Sequence, residues 1–309
     1  MTLFSGLSAF PLTPTDQAGR LKPDSMARHI ERLCAAGVDS IGLLGSTGSY
    51  AYLTAAERMR TVRVAAEALA GKLPLIVGVG ALRTDEAEHL ARDAALAGAD
   101  GLLLAPMSYQ KLTDEEVCQH VAAVAAAGDL PLCIYNNPGT TNFAFSHKVI
   151  ARLSRLPRVT AVKMPLPADG DFTGELAALR SVTAVGFSIG YSGDWGAKDA
   201  LLAGADAWFS VVAGLLPGPA LALARAAGSG NAGLADRMDR AFQPLWALFR
   251  QFGSFRVMYA LAELLDDDGI APLRPVLPLA GDDRRKVEAA LRQLADIQPA
   301  SGNPAPVSV

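Results

Sequence analysis

No apolar run in the chain reaches the roughly 18 residues that a membrane-crossing helix requires, because Gly, Pro or a charge interrupts every stretch within about a dozen positions. Membrane is therefore not an expected partner. Charge is also scarce, at 19% of residues with a net charge of -3, and no basic cluster exceeds Arg284-Arg285-Lys286. A nucleic-acid backbone would find no positive face to bind. The three cysteines, Cys34, Cys118 and Cys133, are odd in number, widely spaced and set among apolar neighbours, which reads as reduced core thiols rather than a disulfide frame. Residues Met1 to Phe10 lack a basic n-region and a small-residue cleavage motif, so no secretory signal is expected and the expected home is cytoplasmic. His29, His89, His120 and His147 are scattered on helical segments without His-x-x-x-His or carboxylate pairing, which predicts helix-surface histidines and no metal site.

What the chain does have is apolar side chain, half of its 309 residues, enough for a large core and too much for disorder. Its most informative pattern is a phrase that occurs three times: Ala36-Gly37-Val38-Asp39, Ala97-Gly98-Ala99-Asp100 and Ala203-Gly204-Ala205-Asp206, each followed by an apolar run. In each, the glycine can adopt the left-handed conformation that ends a helix, and the run that follows suits a parallel strand buried on both faces. With these copies, strands are predicted at 6–10, 41–44, 75–79, 102–104, 132–135, 159–163, 184–188 and 208–211. Helical patterns fall between them at 25–36, 54–70, 85–97, 114–127, 146–153, 174–180 and 195–203, several with a Ser, Thr or Asp start signal. Alternation alone also permits an open doubly wound sheet, but eight repeats favour an α/β fold of the (β/α)8 TIM-barrel type over 1–217. Beyond Pro217 strand signals stop, and patterns at 218–227, 232–252, 255–265 and 283–297 predict a C-terminal helical extension over 218–298, packed on the barrel. The Pro-, Ser-, Ala- and Gly-rich 299–309 has no periodicity and is expected to be a disordered tail.

In such a barrel the chemistry belongs at the C-terminal ends of the strands. Of seven lysines, only Lys163 ends a buried strand. Loss of hydration there disfavours the ammonium and makes the free amine available as a carbonyl nucleophile, although a strand-end lysine can equally be solvated or ion-paired. Gly45-Ser46-Thr47-Gly48, directly after a strand, can turn backbone N–H groups and two hydroxyls onto a carboxylate or a phosphate, or simply make a βα turn. Neither the Walker nor the dinucleotide glycine spacing is present. Tyr135, opening Tyr135-Asn136-Asn137-Pro138-Gly139-Thr140-Thr141, can shuttle a proton at the barrel mouth or serve as a half-buried rim aromatic.

These segments, in this order, resemble the dihydrodipicolinate synthase and N-acetylneuraminate lyase family of class I aldolases and dehydratases. The resemblance runs from Gly6-Leu7-Ser8-Ala9-Phe10-Pro11-Leu12-Thr13-Pro14 to about Pro217, through Leu53-Thr54-Ala55-Ala56-Glu57-Arg58, Val77-Gly78-Val79-Gly80 and the Tyr-Asn-x-Pro motif at 135 to 138. It implies that Lys163 forms a Schiff base with pyruvate or another 2-keto acid, that Tyr135 moves protons, and that Ser46, Thr47 and Gly48 hold the substrate carboxylate. It further implies a homotetramer that needs no cofactor. A protonated imine is itself an electron sink, consistent with that absence.

Departures from the family pattern concern the rest of the substrate. Thr140 stands where synthases that accept aspartate semialdehyde carry arginine, which removes a planar carboxylate clamp and argues against dihydrodipicolinate synthesis. Ser49 replaces a glutamate, Met164-Pro165 replaces another, and Met107-Ser108 replaces a tyrosine pair, with Tyr109 one place further along. Thr140, Tyr109, Ser192, Asp194 and Phe209 are the expected contacts to the substrate tail, with Met107 and Trp195 near the mouth. The leading expectation is aldol cleavage or dehydration of a 2-keto-3-deoxy acid. The alternatives are a catalytically silent keto-acid-binding barrel and, less in keeping with the loops, a phosphate-handling barrel.

Overall fold

A computed structural model describes residues 2–265 and 270–295. Eight parallel strands close into a barrel in chain order: β1 Gly6–Ala9, β2 Ser40–Leu43, β3 Leu75–Gly78, β4 Gly101–Leu104, β5 Leu132–Tyr135, β6 Val159–Met164, β7 Ser188–Tyr191 and β8 Ala207–Ser210. Helices α1 Pro23–Ala36, α2 Ala55–Leu69, α3 Thr84–Leu96, α4 Asp114–Gly128, the short α5 Pro138–Thr141, α6 His147–Leu153, α7 Phe172–Val182, α8 Ala197–Leu202 and α9 Pro217–Gly228 surround them. Then come α10 Ala232–Phe252, α11 Ser254–Leu264 and α12 Gly281–Ala295. The fold is thus the expected TIM barrel with C-terminal helices. Two helices begin at the predicted start signals, Thr54 and Ser146, and two more are capped just ahead of the predicted starts, by Thr113 and Asp171; each of the four accepts a backbone N–H from the first turn.

The threefold Ala-Gly-x-Asp phrase has a structural use beyond ending helices. Gly37, Gly98 and Gly204 all have positive φ, at 75, 97 and 94°. The aspartate that follows each then accepts an N–H at the start of a neighbouring strand: Asp39 from Leu7 at 2.7 Å, Asp100 from Leu75 at 2.8 Å and Asp206 from Ile189 at 2.8 Å. These carboxylates satisfy backbone donors at the N-terminal rim, where the parallel ladder runs out of partners. The two family-like phrases around 53–58 and 77–80 also meet in space. Arg58, which is buried, donates to the carbonyls of Gly78 at 2.9 Å and Gly80 at 3.0 Å, pinning the turn after β3.

Three expectations need correction. β7 lies at Ser188–Tyr191, not at 184–188. Val185 is fully exposed, Gly186 turns the chain at φ 79° and the Phe187 N–H closes a turn onto Ala184 O. The true strand reads as polar because Ser188 and Gly190 face the barrel interior, where a Cβ on Gly190 would stand 2.5 Å from the Phe209 ring. Second, α9 lies against β1, α1 and α8, so the eighth ring helix falls within the stretch assigned to the extension. The extension proper begins at α10, which packs on α8 and α9, with Lys198 paired to Asp236 at 2.8 Å. Third, His29 and His120 are buried rather than on helix surfaces, because α1 and α4 turn those faces inward. His120 Nδ1 lies 3.0 Å from Thr84 Oγ1, and burial lowers its pKa. The predicted helix end at 296–297 and the tail 299–309 lie outside the described residues. No helix among the described residues is long and apolar enough to cross a membrane.

Candidate active site

The barrel interior is filled from below by two phenylalanines. Phe10, just past β1, and Phe209, in β8, meet edge to face at 6.0 Å because the closing of the barrel pairs β1 with β8. Phe10 has room only because its neighbours lack side chains: a Cβ on Gly42 would lie 2.3 Å from its ring and one on Gly45 2.7 Å. On this aromatic floor stands Lys163. Its place in β6 is in register with Tyr135 of β5 and Gly190 of β7, so both lysine and tyrosine point inward and side by side.

Lys163 is only 3% exposed. Its Nζ lies 3.9 Å from the Phe10 ring centre, 4.3 Å from that of Tyr135 and 5.6 Å from that of Phe209. The faces of these rings favour the ammonium, as does Asp194 nearby, yet burial outweighs them and lowers the lysine pKa to about 8. At neutral pH roughly one molecule in ten then carries the free amine, against fewer than about one in a thousand for a solvated lysine. The Cys133 thiol, in the same interior, is pushed up by burial and stays protonated.

Tyr135 is buried too. Burial raises its pKa, opposed by the nearby hydroxyls of Ser46 and Ser192, which stand on the loops after β2 and β7. Ser46 faces the mouth and also receives a long contact from Asn137 Nδ2 at 3.5 Å. Thr47 is buried, and Gly48 is held by Thr13, whose Oγ1 donates to Gly48 O at 2.7 Å. A Cβ at Gly48 would come 2.9 Å from Leu44 N, so the loop packs back on its own strand. Among the described residues no acceptor takes the N–H groups of Ser46, Thr47 or Gly48. Free donors on a tight loop can receive an anion, and this loop is the candidate cradle for one.

The remaining predicted contacts divide. Ser192 sits half-buried at the mouth, its Oγ donating to Met164 O at 3.1 Å. Thr140 is exposed on α5, its hydroxyl directed to Asn137 O at 3.4 Å. Tyr109 is 88% exposed on the loop after β4 and does not line this chain's own cavity floor. Asp194 is corrected: it accepts from Trp208 Nε1 at 2.9 Å and from the N–H groups of Val211 at 3.2 Å and Val212 at 2.7 Å, so its oxygens serve the end of β8 instead of a substrate tail. Phe209 is likewise corrected, being part of the floor beneath Lys163. Sequence reading treated Phe10 only as the end of a strand. The signal that could have found it was the pair Gly42 and Gly45, two residues without side chains flanking one strand end. Asn136 was also passed over. It is buried, with Oδ1 accepting from Phe145 N at 3.2 Å, and it holds the turn that carries Asn137 and Thr140.

Comparison with known proteins agrees with this geometry. The profile of the dihydrodipicolinate synthetase family matches residues 3–294. A 4-hydroxy-tetrahydrodipicolinate synthase of Methylococcus capsulatus is 34% identical over 284 residues, 91% of this chain and 95% of the relative. The crystal structure of a dihydrodipicolinate synthase from Agrobacterium tumefaciens superimposes with a TM-score of 0.93 at 58% identity, covering 94% of this chain and 98% of that one. A dihydrodipicolinate synthase of Acinetobacter baumannii, described as complexed with pyruvate, gives 0.86 at 27% identity over 96% and 100% of the two chains. With a family match over nearly its whole length and a lysine amine buried at the end of its sixth strand, this chain belongs to the dihydrodipicolinate synthetase family and is a class I lyase of the lysine-imine type.

Proposed function

We propose that the protein is an aldolase or dehydratase acting on pyruvate or a 2-keto-3-deoxy acid, with Lys163 as the nucleophile. The observation that carries this reading is the Lys163 amine, 3% exposed, with its pKa lowered to about 8 and its Nζ 4.3 Å from the centre of the Tyr135 ring. Ser46, Thr47 and Gly48 receive the substrate carboxylate, which sets the C2 carbonyl over Lys163. The free amine adds to C2, and Tyr135 passes a proton to the carbinolamine oxygen, which departs as water and leaves a protonated imine. In cleavage, the C4 hydroxyl gives up its proton, the C3–C4 bond breaks, and its electron pair enters the imine as an enamine while an aldehyde leaves. In dehydration, C3 gives up a proton and the C4 hydroxyl departs as water. Tyr135 is kept protonated by burial in the free enzyme, and the cationic imine beside it makes its proton easier to transfer.

The names of the relatives favour a second reading, synthesis of 4-hydroxy-tetrahydrodipicolinate, which would begin with the same imine. Thr140 opposes it, since a hydroxyl at that place offers no charge to the carboxylate of a second substrate. The exposed Tyr109 supports a homotetramer in which a neighbouring subunit receives its phenol, and a cytoplasmic setting suits such a reaction. Borohydride reduction with pyruvate, followed by intact mass and peptide mapping, tests the shared step: a reduced adduct is expected on Lys163 and none in Lys163→Ala. Absence of any adduct with pyruvate or related 2-keto acids would favour the silent binding barrel. Product assays with keto-deoxy sugar acids, against an assay with aspartate semialdehyde, then separate the two reactions.

A further inference from the structure

We infer that Tyr259, on α11 outside the barrel, is a positioning residue for the substrate carboxylate: through Ser49 it fixes the shape of the Gly45 to Gly48 cradle. This rests on the reading above, in which that cradle receives the keto acid. Ser49 closes the cradle, its N–H donating to Ser46 O at 3.2 Å and its carbonyl accepting from Tyr52 N at 2.9 Å. To do so it adopts φ 59° and ψ 23°, a left-handed conformation that a residue with a side chain keeps only when its surroundings enforce it. The enforcing contact is from the extension: Ser49 Oγ and the Tyr259 phenol share a hydrogen bond of 3.2 Å. Both residues are buried, at 2% and 3% exposure, so bulk water does not compete for the bond.

The same helix grips the loop a second time. Phe255 stacks on Tyr52 at 6.5 Å with ring planes 22° apart, and meets Tyr259 edge to face at 5.0 Å. From the opposite side Thr13 holds Gly48 O. The free N–H groups of the cradle are therefore clamped between the loop after β1 and a helix that contributes nothing to the chemistry. A shift of well under an ångström in those donors weakens every bond to a carboxylate at once.

The test is Tyr259→Phe, which keeps the ring packing and removes only the hydroxyl, with Ser49→Ala and the double variant beside it. The pyruvate concentration for half-maximal borohydride trapping, and KM for the keto-acid substrate, should rise about five- to twentyfold, the worth of one buried hydrogen bond, while kcat stays within about twofold. The double variant should be no worse than either single one, since both remove the same bond. Equal losses in kcat and KM effect, or strictly additive losses, would mark a general structural role and overturn the proposal. Hydrogen exchange gives a readout that needs no substrate: amide exchange at Ser49 and Tyr52, whose N–H groups are bonded within the loop, should quicken in Tyr259→Phe, with the barrel strands unchanged. Unchanged exchange there overturns the positioning role. Faster exchange in the variant, together with a wild type that traps no keto acid, upholds the clamp and removes instead the function proposed for the cradle.

Discussion

The two rims of this barrel are built by opposite rules. At the N-terminal rim one device is repeated, a glycine ending a helix and an aspartate two residues later binding the start of a neighbouring strand, as at Asp39, Asp100 and Asp206. At the C-terminal rim nothing repeats: each strand end carries a different group, and the groups work only together. The first rim satisfies polar backbone and adds stability. The second buries an amine that water would otherwise hold charged, which costs stability; under the proposed function that amine is the nucleophile. Asp194 shows how closely the two tasks adjoin, because it sits at the C-terminal rim and yet is consumed by the backbone just past β8.

Substitutions that exchange the two properties would break this contrast. The largest effect is expected from Lys163→Met, which fills the same space without charge. Turnover should fall on the order of 10^4-fold or more, as when a covalent nucleophile is removed. The same variant should be more stable than wild type at pH 7 by about 1–3 kcal/mol in a denaturant titration. The sign follows from linkage. The folded-state pKa of Lys163, about 8, lies below the ordinary lysine value of 10.5, so the unfolded chain binds more protons between those values, and wild-type stability recovers as pH rises through that window. The stability gap between variant and wild type should accordingly shrink between pH 8 and 10.5. A variant less stable than wild type at pH 7 would contradict the cost assigned to this rim.

Next in size is Tyr135→Phe, where the rate of imine formation should drop about 10^2- to 10^3-fold with little change in the melting curve, measured by stopped trapping with pyruvate. A loss under tenfold would move the proton-transfer role to another hydroxyl, with Ser46 and Ser192 the candidates. The wild-type trapping rate should itself climb close to tenfold per pH unit below about 8 and level off above it, because only the free amine adds to the carbonyl. The smallest effect on chemistry belongs to Asp100→Ala. It leaves the Leu75 N–H without its partner and should cost about 1–3 kcal/mol of stability, while kcat/KM measured below the melting range stays the same within about twofold. If Asp100→Ala slowed trapping, the two rims would not be independent.

How much of this could be read in the residues depended on whether the relevant interaction was local. Seven of the eight strands were legible as apolar runs where expected. β7 was not, because its inward positions are Ser188 and Gly190, chosen for the space left by Phe209 across the barrel rather than for their own burial. The Gly45 to Gly48 loop and Lys163 were legible from their places at strand ends. Asp194 was misread because a carboxylate beside the mouth looks the same in sequence whether it faces a ligand or a backbone, and Phe209 because its neighbour Phe10 stands at the other end of the barrel sequence.

By itself, then, the sequence determined the alternation of strands and helices, the closing of the repeated units by glycine, and the presence of one lysine at a buried strand end, since each depends on periodicity and turn chemistry within a few residues. Only the tertiary structure decided what surrounds that lysine. Barrel closure sets β1 against β8, and this brings Phe10 and Phe209 beneath Lys163, while the packing of α11 on the loop after β2 brings Tyr259 to Ser49. Desolvation is a sum over neighbours from every part of the chain, so the lowered pKa of one amine belongs to the fold and not to any single stretch of residues.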